Sequence, residues 1–129
     1  MRWVVDGNNV YGSRPDGWWN DRARASARLA QRVAEWCREH DDEVTLVFDA
    51  PLASATALLA GGNLTIVEAA RRGRDAADDD IVDLVEEWLA ADAADHEIRV
   101  VTSDRGLRRR LPAEASVWGV GRFRELIGY

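Results

Sequence analysis

The stretch RWVVDGNNVYG, residues 2–12, decides the fold. Trp3–Val5 is too short for a helix and apolar enough for a buried strand, yet it ends at once in Asp6, Gly7, Asn8 and Asn9. A carboxylate and two amides therefore stand where a rigid strand stops. The pattern recurs along the chain. VTLVF (44–48) runs into Asp49, and IRVVTS (98–103) runs into Asp104. Further strands are expected at Leu64–Val67 and in ASVWG (115–119). These runs are rich in valine without strict polar alternation, as expected of strands covered on both faces.

Helical patterns lie between them. From Asp21 to Glu39, the residues Leu29, Ala30, Val33, Trp36 and Cys37 recur at helical spacing, with Asn20 or Asp21 as cap. Ile81, Leu84, Val85, Trp88 and Leu89 define a second amphipathic helix. Shorter helices are expected in PLASATALLAGG (51–62), RGLRRRL (105–111) and RFRELIG (122–128). Alternation of this kind specifies an α/β protein, a three-layer α/β/α sandwich around a central, mainly parallel five-stranded sheet. Periodicity leaves the strand order open.

At 129 residues, the chain reads as a single domain, residues 1–129. Its apolar runs are too short for a membrane span or a signal-peptide core. Cys37 is the only cysteine, which excludes an internal disulfide and fits a reducing cytoplasm. The net charge of -6 argues against a protein that simply coats nucleic acid. All 17 basic residues are arginine. Any mechanism that needs lysine is excluded, whereas the arginine fork suits phosphate.

In a parallel sheet Asp6, Asp49 and Asp104 all fall on the carboxyl rim, where open α/β proteins bind ligands. A fourth acidic cluster, DAADDDIVDLV (75–85), opens the helix leading into the fourth strand. Helix geometry separates its consecutive aspartates by about 100° per residue. Asp78 falls near the edge of the apolar face, Asp79 points largely away, and Asp80 lies off the far side. Taken singly, these residues have plainer uses as turn formers or helix caps. Gathered in one cleft, they would raise one another's pKa unless a cation neutralised them. An all-oxygen set fits a hard ion such as Mg²⁺ or Mn²⁺, which can activate water for displacement at phosphorus. His40 and His96 give no zinc-like spacing.

The ordered set VVDGNNVYG, VTLVFDA, DAADDDIVDLV and VVTSDRGLRRRL resembles the NYN domain family, nearest to its YacP-like ribonuclease branch within the PIN-like nuclease fold. The resemblance runs from Arg2 to about Leu111. It implies a PIN-like sandwich and a metal-dependent endoribonuclease that hydrolyses single-stranded RNA through metal-activated water. By position, it assigns catalysis to Asp6, Asn9, Asp78, Asp79 and Asp104, and metal binding to the four aspartates among them. Asp49 matches a further acidic position. Relatives in the wider group can carry another acid where this chain has Arg108, so one ion is expected to bind firmly and a second only with substrate.

Basic residues flank the acidic rim. Arg71, Arg72 and Arg74 precede the acidic helix, and Arg105, Arg108, Arg109 and Arg110 follow Asp104. Arg74, Arg105 and Arg108 are the candidate RNA contacts. Trp18 and Trp19, in the segment after the first strand, either stack on bases, pack against the first long helix, or meet a second copy of the chain. A ribosome or a regulatory protein are further candidate partners; a membrane is not. The competing reading is a non-catalytic RNA-binding or assembly module that retains the acidic pocket. A receiver-like or dehalogenase-like phosphotransfer domain is opposed by the absence of lysine and of an Asp-x-Asp run after the first strand.

Overall fold

Residue parity along β1 (Arg2–Asp6) organises the molecule. In the computed structural model, which describes residues 1–49, 51–69, 76–92 and 97–129, Trp3 and Val5 enter one apolar cluster and Val4 another. A strand alternates its side chains with a period of two, so these clusters occupy opposite faces of the sheet. Asp6 continues the parity of Val4. Its carboxyl is thereby committed to the second face.

Four further strands join β1: β2 (Glu43–Phe48), β3 (Leu64–Glu68), β4 (Ile98–Val101) and β5 (Ser116–Trp118). All neighbours are parallel, in the order β3-β2-β1-β4-β5. The α/β architecture expected from the sequence is the one observed. On the first face lie α1 (Gly7–Gly12), α2 (Arg22–Arg38) and α6 (Val120–Ile127), packed over Trp3, Val5, Leu46 and Phe48. The second face carries α4 (Ala76–Asp92) and α5 (Arg105–Arg110), packed over Val4, Val47 and Val100. The remaining short helix, α3 (Ser54–Ala57), sits against α2. The chain moves outward from β1 to β3, then returns across the sheet to β4. Uniform crossover handedness requires the connecting helices to change face at that reversal. The crevice between β1 and β4 is therefore the topological switch point.

Trp3 anchors the first face at 1% exposure. Its ring meets Trp118 and Trp36 edge to face, at centroid distances of 4.9 Å and 6.3 Å. Its indole nitrogen donates to Asp42 Oδ2 at 2.8 Å, so burial leaves no unpaired donor. Cys37 is buried in the same cluster, and desolvation pushes its thiol up to about 11, which makes it a packing residue. Trp88, expected on a core face, is only partly buried, and the Arg2 guanidinium lies 5.2 Å from the centre of its ring.

Several boundaries differ from the sequence reading, among them α3, which is confined to Ser54–Ala57 of the expected 51–62. A helix, α1, starts directly after Asp6, where turn chemistry alone was expected. The strand β4 stops at Val101, so Thr102 and Ser103 separate it from Asp104. The fifth strand is confined to Ser116–Trp118. Among the described residues, no helix is long and apolar enough to cross a membrane.

Candidate active site

The strand β1 delivers Asp6 to the switch-point crevice at only 5% exposure. Parity aims its carboxyl toward the face covered by α4, and there it meets the field of Asp78. Desolvation is the main cause that raises its pKa from the ordinary 3.8 to about 7, and the carboxylates of Asp78 and Asp49 push in the same direction. Two hydrogen bonds work against that rise, one from the Thr102 hydroxyl and one from the backbone N–H of Asn9. The Thr102 Oγ1 donates to Asp6 Oδ2 at 3.0 Å.

Thr102, fully buried just beyond the end of β4, links the two sides of the crevice. Its hydroxyl also accepts the backbone N–H of Asp104 at 3.1 Å. A second link crosses nearby, where Asn9 Oδ1 accepts the N–H of Ser103 at 2.7 Å. Asn9 thereby commits its carbonyl oxygen to the β4–α5 loop. Asn8 fixes the other flank, accepting the N–H of Asp49 at 2.9 Å and donating to the Tyr11 hydroxyl at 2.8 Å. Neither Thr102 nor Asn8 stood out in the sequence. A threonine ending a valine-rich strand reads as an ordinary β-branched strand residue, and only the Asp-Gly-Asn-Asn context marked Asn8.

The acidic residues divide into two sets. Asp78, on the first turn of α4, acts on Asp6 as its angular position on the helix anticipated, and Asp49 acts from the end of β2. Asp104 stands on the same rim, but one of its oxygens caps α5 by accepting the N–H of Leu107 at 3.0 Å. The cap reading of Asp104 is thus correct, and among the described residues its second oxygen has no hydrogen-bond partner. Asp79 turns away, with Oδ1 held by Arg110 Nη2 at 2.7 Å. That ion pair clamps α4 to α5 and also occupies Arg110.

Among the described residues, no three His, Cys, Asp or Glu side chains form a group that could hold a metal ion by themselves. The donor chemistry nevertheless fits a small hard cation. Mg²⁺ is commonly held by one or two carboxylates, with waters and substrate phosphate completing its shell, rather than by an all-protein cage. Asp6 and Asp78 supply such a partial set, and a cation there would stabilise the ionised form that burial, and to a lesser extent the neighbouring carboxylates, disfavour.

Arg105 and Arg108 are exposed beside Asp104 on α5. Arg71, Arg72, Arg74 and His96 lie outside the described residues. His40 is exposed, its ring stacked on Trp36 at 4.0 Å. Trp18 is half-buried against Tyr11, at a centroid distance of 5.7 Å, so packing is its first role. Trp19 is 59% exposed.

Thr102→Val tests the linkage across the crevice. It keeps the branched shape but removes the hydroxyl, leaving Asp6 Oδ2 without its donor and the Asp104 N–H without its acceptor. Loss of about 1–3 kcal/mol is expected in urea unfolding, since a buried group left unpaired forfeits its hydration as well as its bond. The Asp6 pKa should rise further, because the bond that lowers it is gone. An unchanged unfolding midpoint would mean that the hydroxyl does not hold the two sides together.

Neither a family model nor a curated relative matches the sequence. Solved structures do match the fold. Rae1 (YacP) from Bacillus subtilis is 21% identical, with a TM-score of 0.76 over 99% of this chain and 74% of that one. Its W164L mutant gives 22% identity, a TM-score of 0.75 and the same coverage. A more distant likeness, with a TM-score of 0.55 and 12% identity, is to the T5 D15 protein co-crystallized with metal ions. It covers 94% of this chain and 55% of that one. The YacP-like resemblance read from the sequence therefore holds at the level of the fold, which is PIN-like.

Proposed function

We propose that the protein is a metal-dependent endoribonuclease that hydrolyses phosphodiester bonds of single-stranded RNA. One observation carries the reading. A buried carboxyl at the switch point, Asp6, has its pKa lifted to about 7 in a crevice shared with Asp78 and Asp49, an arrangement that a cation relieves. The shared fold with Rae1 (YacP) supports the same conclusion.

When bound, Mg²⁺ or Mn²⁺ would polarise a water and neutralise charge developing at phosphorus. Asp6 and Asp78 are its proposed protein ligands, with the uncapped oxygen of Asp104 reaching it directly or through water. Thr102 orients Asp6 by fixing one of its oxygens. Asn9 holds the β4–α5 loop, and therefore Asp104, against the end of β1. Asp79 contributes negative potential while paired with Arg110, a more distant part than direct ligation. Arg105 and Arg108 grip the RNA backbone next to the scissile phosphate. Among the described site residues, no serine, cysteine or histidine is placed as a nucleophile, so direct attack by water is preferred to a covalent intermediate.

The test uses end-labelled single-stranded RNA with Mg²⁺, with Mn²⁺ and with EDTA. Internal cleavage with either ion and none in EDTA is the expected result. Intact RNA under all three conditions, with a folded protein, would leave the non-catalytic RNA-binding module as the better account.

A further inference from the structure

We infer that a cleft outside the carboxylate crevice, between the 3-10 turn Trp18–Asn20 and the first turns of α2, is a subsite for one nucleotide of the bound RNA strand. The phosphate would rest on Arg24 and Arg28, and the sugar and base would meet the wall formed by Trp18. This deepens the nuclease reading and rests on its choice of RNA as ligand.

The cleft has a volume of about 270 Å³, and its lining includes Gly17, Trp18, Asn20, Arg24, Ala25 and Arg28. Arg24 and Arg28 stand one helical turn apart on the same face of α2, both exposed. Like charges at that spacing weaken a helix slightly. Among the described residues, neither guanidinium has an ion-pair partner. Two acids also line the cleft, and among the described residues neither forms an ion pair with Arg24 or Arg28. Asp16 takes Arg14 Nε at 3.5 Å, and Asp21 caps α2 by accepting the N–H of Arg24 at 3.0 Å. A third cation, Arg22, lies 5.4 Å from the centre of the Trp18 ring. Two guanidinium groups without a direct ion-pair partner among the described residues, beside an aromatic wall, match the phosphate and the apolar face of a nucleotide.

The cleft is also tied to the crevice. Asn8 bonds the N–H of Asp49 on one side and the Tyr11 hydroxyl on the other, and the Tyr11 ring meets Trp18 at 5.7 Å. Two side chains thus bridge from the acidic rim to the cleft. Gly17, at φ +82°, adopts the left-handed conformation that turns the chain into the Trp18–Asn20 segment and opens this side of the cleft.

The experiment measures binding of a labelled single-stranded oligouridylate by anisotropy, in EDTA so that no cleavage occurs. It compares the wild-type chain with Arg24→Gln, Arg28→Gln, their double variant and Arg38→Gln at the far end of α2. These side chains are exposed, so thermal midpoints should stay constant and certify folding. The double variant should bind about tenfold more weakly and lower the slope of log K against log salt by roughly 0.7–1.4, while Arg38→Gln matches the wild type. Inorganic phosphate, at the concentration of nucleotide phosphate, should fail to displace the RNA. Equal affinity in all variants, no binding by the wild type, or displacement by inorganic phosphate would each overturn the subsite. The two proposals fail separately. RNA binding that depends on Arg24 and Arg28 without cleavage in Mn²⁺ removes the nuclease and keeps the subsite; cleavage with no such dependence does the reverse.

Discussion

Asp6→Asn should end cleavage and, in the absence of divalent ions, make the protein more stable above pH 7. Outer-shell partners of metal ligands commonly cost about 10–100-fold when removed, and loss of a ligand is expected to exceed that range. The stability gain follows from linkage. The folded Asp6 titrates near 7 and the unfolded one near 3.8, so between those values the folded chain holds a proton that the unfolded chain has lost. Stability on this account is greatest below the unfolded pKa, falls as pH rises through the window, and reaches its lowest level above about 7. At about 1.36 kcal/mol per pKa unit, the ionised carboxylate costs on the order of 4 kcal/mol. Asparagine cannot ionise, and its side-chain oxygen can still accept the Thr102 hydroxyl. Urea unfolding in EDTA should therefore favour the variant by up to that amount at pH 8, with the gap narrowing toward pH 4. A variant less stable than the wild type at pH 8 would contradict burial as the source of the shift. Loss of activity together with gain of stability is the mark of a functional group held against its own solvation preference.

How much of this site was legible beforehand depends on the range over which each signal acts. Strand ends are local signals: Val-Val-Asp and Val-Phe-Asp placed Asp6 and Asp49 on the rim because a buried apolar run must stop where solvent returns. The inward reach of Asp78 was legible because angle along a helix is fixed by counting residues. Asp104 satisfied two local rules at once, helix cap and rim acid, and only coordinates could reveal that one oxygen serves the cap. The short α1 escaped notice because Gly-Asn-Asn is poor in helix propensity, and its formation depends on packing Val10 and Tyr11 into the core. Long-range pairs were out of reach. Asp79 and Arg110 lie 31 positions apart, and Thr102 meets Asp6 across 96. No periodicity encodes such meetings, which depend on the order β3-β2-β1-β4-β5.

Gly7→Ala tests the dependence of the site on that packing, and its effect should be far larger than one methyl group implies. A Cβ on residue 7 would stand 2.6 Å from Phe48 Cε1, 2.7 Å from Phe48 Cδ1 and 2.9 Å from the Val47 carbonyl oxygen. Phe48 is itself 1% exposed within the first-face cluster, so its ring has little room to retreat, and the Val47 oxygen belongs to the backbone of β2. The strain must then be relieved by moving the start of α1. Overpacking of this kind costs about 1–3 kcal/mol, visible as a lowered unfolding midpoint. The greater loss should be catalytic, because α1 carries Asn8 and Asn9, whose bonds to Asp49 and Ser103 align the rim on both sides of Asp6. A displacement of about 1 Å remote from the reacting atoms can cost on the order of 10²-fold in rate. Cleavage of single-stranded RNA, measured well below the melting temperature, should fall by that order while the chain stays folded. Pairing the substitution with Phe48→Leu, which clears space beside residue 7, should recover part of the rate. Full activity in Gly7→Ala alone would mean that the close approach of α1 to β2 is not what aligns the rim.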